Sequence, residues 1–425
     1  MLAVGAGRRM PLVGELWAFL DDRIGFIQAC ARRSDATRIR LGPRRALVLN
    51  HPELIREVFV REAKHFSRGI TGTPMRRVLG EGLLLSEGEV WRRQRRDVQP
   101  LFATQRIACW LPSIAAAAEG LISRWHDGEV RDIHHEMHRL TLDVAARVFL
   151  GIESDREGRL HPTLEAVLRQ DMFPATIPLG PLRWPIRTSA ATRALDDLVN
   201  ERIAAASAPG GSPFIAALAE TARDHREVRD QLTTLLFTAQ DTTAVAFTWF
   251  WHLVSRDARV ESAVREEADA ARPYLAAALN ETLRLYPPVI GQARETAAPC
   301  EIAGVSLRPH DLVLFSQWVV HRDVRWFERP AAFVPERWLG GLEDRLHPFA
   351  YFPFGGGRRV CVGRALAIAI GRTVIPVIAR RFAMRARDAA EPRVHAVITP
   401  RPRDGLPMVL RAIGPRRASA GAVPG

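Results

Sequence analysis

One segment constrains the fold of this 425-residue chain more than any other. From about Val228 to Arg256 the residues read as one very long helix. At ~1.5 Å per residue that is roughly 40 Å, enough to cross the whole molecule. The apolar stretch inside it, Leu232 to Val254, contains Gln240, Asp241 and several threonines, so it suits a helix buried in protein better than one in lipid. Neither a signal peptide nor a membrane anchor is evident: the first apolar stretch, Pro11 to Leu20, is short and carries Glu15. A cytoplasmic protein is expected.

Around this helix the chain reads as mainly α with a smaller β portion drawn from both ends. Thr37 to Asn50 alternates about a Gly-Pro turn and predicts a hairpin, and His51-Pro52 then opens a helix over Glu53 to Arg61. Trp91 to about Ala206 is largely helical, interrupted by Pro174, Pro178, Pro181 and Pro185 in a long irregular connection. A helix over Tyr274 to Tyr286 stops at Pro287-Pro288. Next come short strands such as Asp311 to Phe315, then a glycine-rich loop, Phe354 to Gly357, a long helix, Gly363 to Arg381, and hairpins around Val394 to Leu410. With no Gly/Ser-rich linker and no repeat, residues 1–413 are expected to form one domain, and 414–425 a disordered tail.

The four cysteines, Cys30, Cys109, Cys300 and Cys361, form no C-x-x-C pair, which excludes zinc-ribbon and thioredoxin readings and fits a reducing compartment. Cys361 stands apart because of its flanks. Phe354-Gly355-Gly356-Gly357-Arg358-Arg359-Val360 lies before it, and Val362-Gly363 and a helix lie after it. Glycines let the backbone take positive φ and approach a flat ligand, and helix N-terminal N–H groups stabilise a thiolate, which is a ligand for iron. No Gly-Lys-Ser/Thr comes after the glycines, so the loop is not a P-loop.

The pattern Phe-Gly-x-Gly-x-Arg-x-Cys-x-Gly, filled here by Phe354, Gly355, Arg359, Cys361 and Gly363 among others, resembles the haem-binding signature of the cytochrome P-450 family. Further resemblances fall in the family's order. Glu281-Thr282-Leu283-Arg284 is similar to its Glu-x-x-Arg motif, and Arg337 in Pro335-Glu336-Arg337-Trp338 to its meander motif; together these imply a buried structural lock bracing the cysteine loop. Trp91 and Arg95 resemble the third-helix pair that donates to a haem propionate, and Arg294 and Arg359 match positions that contact propionates as well. Thr238-Ala239-Gln240-Asp241-Thr242-Thr243 resembles the oxygen-activating motif, with Asp241 and Thr242 in the proton-delivering places. It departs from the family at Thr238 and at Ala239, where glycine is usual, and the connection Ala268 to Pro273 is shorter than the family's.

The resemblance implies the cytochrome P-450 fold, a triangular prism with the long helix over the haem. It implies haem b with Cys361 as axial thiolate and O2 as cosubstrate. The expected activity is monooxygenation, hydroxylation or epoxidation of a medium-sized lipophilic compound of terpenoid, polyketide or fatty acyl type, in secondary metabolism. With no reductase domain in the chain, electrons are expected from a separate ferredoxin or flavodoxin, and NAD(P)H acts only indirectly. Desaturation, aryl coupling or peroxide-driven oxidation on the same iron stay open, as does a haem-thiolate partner protein without oxygenase activity.

The net charge of +13 raises a nucleic-acid reading. The arginines are spread along the chain without an Arg-aromatic stripe, and that reading leaves the cysteine loop unexplained. A basic docking face built from Arg92, Arg93, Arg96, Arg358 and Arg364 is the sharper expectation. His134 and His138 could share a helix face, but His-Glu-x-x-His spacing is not met and position 139 is Arg, so a polar surface segment is expected there rather than a metal site. Substrate contacts are expected from Phe66 to Leu85, the Pro-rich connection Leu168 to Ile186 acting as a lid, Leu236 to Thr242, Val289 to Gln292, and near Ile398.

Overall fold

A computed structural model describes residues 15–69, 75–152, 158–168, 189–208, 210–267, 273–396 and 399–414. The long helix runs His225–Val254. It starts where Asp224 accepts a hydrogen bond from the Glu227 amide (2.8 Å), while the Glu227 carboxylate reaches back to the Arg223 amide (2.9 Å). After an exposed, charged first turn it is enclosed by protein on nearly every side, its polar groups included. Every residue from Asp230 to Val254 is buried except Thr238, Ala239 and Thr242, which share one face and stay partly open. The helix Ile133–Ala145 packs along it, and the helix Arg364–Arg381 packs against Thr104–Ile122 and, further along, against the long helix.

The two ends of the chain build the sheets. Ala36–Leu41 and Arg44–Leu49 form the expected antiparallel hairpin, turning at Gly42, whose φ of +61° favours glycine. The second strand then pairs in parallel with Leu312–Phe315, Ala46 opposite Leu312. Gln292–Thr296 and Phe66–Ser67 complete the five-stranded sheet. Inner strands are covered on both faces, and Leu312–Phe315 accordingly reads as a continuous apolar run. The chain leaves this sheet after Ser67 and returns at Gln292, so the helical body is the crossover that makes the parallel pairing possible.

Three boundaries differ from the sequence expectation. The helix after Pro52 is α-helical over Pro52–Arg56 and widens into a π turn over Glu57–Arg61. The second helix spans Pro273–Leu285. At the C-terminus only Val394–Ala396 and Pro400–Pro402 make a local hairpin; Pro407–Ala412 instead pairs with Phe382–Ala386 and Val130–Asp132. That last sheet joins strands far apart in sequence, which local turn signals do not reveal. The expected lid over 168–186, the short connection 268–273, the Ile398 contact and the tail 414–425 fall wholly or largely outside the described residues. Among the described residues no helix is long and apolar enough to cross a membrane.

Candidate active site

The cysteine loop is a tight backbone trap. The Cys361 amide donates to the Phe354 carbonyl (2.9 Å), the Gly355 amide to the Phe352 carbonyl (2.9 Å), and Gly357–Arg359 closes as a 3-10 turn. Gly357 has φ +62°, and a Cβ there would lie 2.4 Å from the Phe59 carbonyl oxygen. The glycine is therefore demanded by the neighbouring segment at Phe59 as well as by the positive φ that the sequence suggested. Cys361 lines a cavity of about 750 Å³ with Arg95, Arg96, Phe102, Val362 and Ile368. The residue reaches solvent along this cavity, yet the protein packed around the sulfur removes enough water to push its thiol up. The N–H groups of Gly363 and Arg364 and the charges of Arg95 and Arg364 pull the other way, as expected at a helix start, and burial outweighs them.

Elsewhere, Glu281, Arg284 and Arg337 meet in one buried cluster. Glu281 and Arg284 have no solvent exposure at all (0% each). The Glu281 carboxylate accepts from Arg284 Nε (2.8 Å) and Nη2 (2.8 Å), Arg337 Nε (3.0 Å), the Val334 amide (3.0 Å) and Trp338 Nε1 (2.8 Å). Arg284 also donates to the carbonyls of His321 (2.9 Å), Pro330 (2.7 Å) and Ala332 (3.0 Å), and lies over the Phe327 ring. Buried charges persist only with this degree of satisfaction. Trp338 and the Val334 amide were not singled out from the sequence; the indole sits one residue after Arg337, but nothing local marks it as a donor.

The propionate candidates converge in part. Arg359 stacks on the Trp91 indole (4.4 Å), donates to the Ser86 carbonyl (2.8 Å) and pairs with Glu87. Arg294 lies over the Phe59 ring (5.0 Å) and donates to Gln292 Oε1 (3.3 Å). Arg68, which the sequence reading did not single out, joins them. Burial holds Arg68 at about 9, with repulsion from Arg294 and Arg359, and burial with Arg359 holds Arg294 at about 10. Glu87 is the carboxylate that offsets this repulsion, and Arg359 Nη1 is buried without a hydrogen-bond partner. Arg95 stands apart from this cluster, donating to the Val360 carbonyl (2.7 Å) on the cavity wall beside Cys361.

On the long helix, Thr242 Oγ1 donates to the Thr238 carbonyl (2.7 Å), and Thr238 Oγ1 to the Thr234 carbonyl (2.8 Å), on the partly open face. Asp241 turns away from that face. Its carboxylate accepts from Thr399 Oγ1 (3.0 Å) and Arg401 Nη2 (2.5 Å) in the C-terminal hairpin. These partners lie about 160 residues away with no periodicity linking them, so sequence reasoning missed them. Two expectations are corrected. His134 and His138 are not a polar surface segment: both are largely buried against the long helix, where His134 Nδ1 meets Thr248 Oγ1 (3.1 Å) and His138 Nδ1 meets Gln240 Nε2 (2.7 Å). Arg93 does not contribute to an open basic face, because it is half-buried and holds Glu227 (2.5 Å) and Asp97 (3.2 Å); Arg92, Arg96, Arg358 and Arg364 are exposed, Arg92 beside Glu89 and Arg364 beside Glu343. Among the described residues no group of His, Cys, Asp and Glu could hold a metal ion.

This fold and this cysteine loop define a haem-thiolate oxygenase scaffold, and residues 5–406 match the family model described as Cytochrome P450. The chain belongs to the cytochrome P450 family and is a cytochrome P450 monooxygenase. It is 30% identical to cyclooctat-9-en-7-ol 5-monooxygenase of Streptomyces melanosporofaciens over 88% of each chain. It is 31% identical to cyclooctatin synthase of the same organism (93% of this chain, 92% of that one) and 27% identical to pentalenene oxygenase of Streptomyces avermitilis (92% and 93%). Among solved structures, a cytochrome P450 from Thermus thermophilus superposes with a TM-score of 0.76 at 28% identity, covering 93% of this chain and 98% of the other.

Proposed function

We propose that residues 1–413 form one catalytic domain that hydroxylates or epoxidises a medium-sized lipophilic substrate of terpenoid type in the cytoplasm, in secondary metabolism. The family implies a haem-thiolate cofactor, and the residues present fit one. The observation that carries the reading is the pairing of Cys361 on a cavity wall with a buried, mutually repelling arginine cluster that has an orphaned donor, Arg359 Nη1. Two propionate carboxylates would answer that cluster in the bidentate geometry guanidinium groups favour. Arg359, Arg294, Trp91 and Arg95 are assigned to them, and Cys361 to the iron. When bound, the haem supplies the oxidising chemistry that no side chain can perform.

The chain's own parts do the rest. Phe354, Gly355 and Gly363 shape the loop around the sulfur. Glu281, Arg284 and Arg337 brace it from behind. With the cofactor bound, the open face at Thr238, Ala239 and Thr242 would border the oxygen site, Thr242 would hold a proton there, and Asp241, turned to Thr399 and Arg401 in this structure, would feed protons to it on swinging back. Relatives named for cyclooctat-9-en-7-ol and pentalenene support a terpenoid over a polyketide or fatty acyl compound. Electrons come from a ferredoxin or flavodoxin that docks on Arg92, Arg96, Arg358 and Arg364, with NAD(P)H as the distant donor. The test is the carbon monoxide difference spectrum of the reduced protein beside Cys361→Ala, followed by a spin-state screen of cyclic terpenes. A strongly red-shifted Soret band lost in the variant is expected. A band typical of a His-ligated haem, or none, refutes the haem assignment, and no terpene-induced shift refutes the substrate class.

A further inference from the structure

His138 has two unusual neighbours. Its Nε2 is buried without a hydrogen-bond partner and lies 3.7 Å from Asp241 Oδ1. Its Nδ1 faces the Gln240 amide nitrogen at 2.7 Å, while the other end of that amide, Gln240 Oε1, is also buried without a partner. If the ring is an imidazolium and the Gln240 amide makes a half-turn, Nδ1–H donates to Gln240 Oε1, and Nε2–H points at Asp241 Oδ1 across 3.7 Å, a gap that a small shift of either side chain closes. Carbonyl oxygen and amide nitrogen are near-isosteric, so the turn changes hydrogen bonding without changing packing. The site thus accommodates the neutral and the protonated ring equally well in space. The side chain keeps 13% of its surface exposed while touching the buried acid.

We propose that His138 is a positioning residue that carries protons from solvent to Asp241. The inference rests on the assignment of Asp241 as the proton-feeding acid. Atoms balance without any redox step. With the Gln240 side chain swung off the ring edge, the ring takes a proton from water on Nδ1, gives its Nε2 proton to Asp241 Oδ1, and is neutral again once the remaining proton returns to Nε2. One proton has moved inward, and no electron has. The charged and titratable groups facing the ring are Asp241 on the long helix, Arg401 on the C-terminal hairpin, His134 and His135 on its own helix, and His161 on the adjacent helix. At rest, burial with the charges of Arg401, His161 and His135 holds the ring at about 3, so it is neutral near pH 7. Arg401 is the group that matters most among these charges, because it also occupies Asp241 Oδ1. When Arg401 lets go, Asp241 regains an open negative charge beside His138 and the ring protonates more readily.

The experiment is a pH titration of the imidazole Cε1–H signals by NMR in the diamagnetic ferrous carbonyl form. It compares wild type, Arg401→Met and Arg401→Met/Asp241→Asn, with His138 assigned from His138→Gln. Arg401→Met is expected to raise the His138 midpoint by about one pH unit or more, and Asp241→Asn to reverse the rise. No rise, or an equal rise with Asp241→Asn present, overturns the proposal. In parallel, turnover of the best-binding terpene should fall about tenfold or more in His138→Gln. The lost reducing equivalents should appear as peroxide, with the spin-state shift retained. Turnover and peroxide equal to wild type overturn the relay even if the titration succeeds. A wild-type protein without the thiolate carbonyl band would instead sink the haem reading itself, so the two failures are told apart.

Discussion

Glu281→Gln isolates the contribution of the buried charge cluster, because the side-chain shape is kept and only the charge and one acceptor are lost. In the wild type Oε2 accepts from Arg284 Nε and Trp338 Nε1, and Oε1 from Arg284 Nη2, Arg337 Nε and the Val334 amide. Whichever way the substituted amide is placed, its NH2 group meets at least two of these donors head-on. The fully buried guanidinium of Arg284 loses its counter-charge as well. Removing one partner of such a pair costs about 3–5 kcal/mol. Expected is a loss of that size in the first urea unfolding transition, followed by tryptophan fluorescence, together with reduced haem retention. Glu281→Gln/Arg284→Met should cost less than the two single changes added, by up to about 3 kcal/mol, since the second change removes the stranded charge. A single variant within about 1 kcal/mol of wild type, or strict additivity, would refute the reasoning.

Acid sensitivity should follow His321, which burial and the charges of Arg284 and Arg322 hold at about 3 against an ordinary 6.5. The unfolded chain binds this proton first, so the stability it gives is full above pH 6.5 and falls with pH toward 3, by about 1.4 kcal/mol per unit. Urea midpoints of His321→Gln should therefore fall less steeply between about pH 6 and pH 4, and parallel slopes would contradict a buried neutral ring. Gly357→Ala should lose at least about 1–3 kcal/mol, from positive φ and the clash with Phe59, read as a lower thermal midpoint. Reduction by an acidic ferredoxin should slow with added salt and with Arg358→Glu. Arg93→Gln should leave the salt dependence unchanged and lower stability, because that side chain holds Glu227.

What the sequence made legible was whatever is encoded locally. The cysteine loop is a run of ten residues whose glycines and cysteine cannot be moved apart, and Glu281 and Arg284 face each other by helix geometry alone. The long helix showed itself by its length and apolarity. Contacts between remote segments were not legible. Arg401 and Thr399 reach Asp241 from across the chain, Arg68 joins Arg294 and Arg359, and Ala46 pairs in parallel with Leu312. His134 and His138 were misjudged for a related reason: polarity suggested surface, but Gln240 and Thr248 on the long helix supply buried partners for both rings.

Besides its two hydrogen bonds to Glu281, Arg284 donates to the carbonyls of His321, Pro330 and Ala332, none of which depends on a side chain. Apart from the Phe327 ring beneath it, the guanidinium reads this stretch through its backbone alone and is indifferent to the spelling of its exposed residues. The irregular stretch between residues 321 and 332 should therefore accept extensive exchange of exposed side chains, in a saturation library for example, while shifts in its length by one residue are rejected. The anchor tolerates mutation by substitution and forbids mutation by insertion, so this loop should record evolutionary time in its letters and almost none in its spacing.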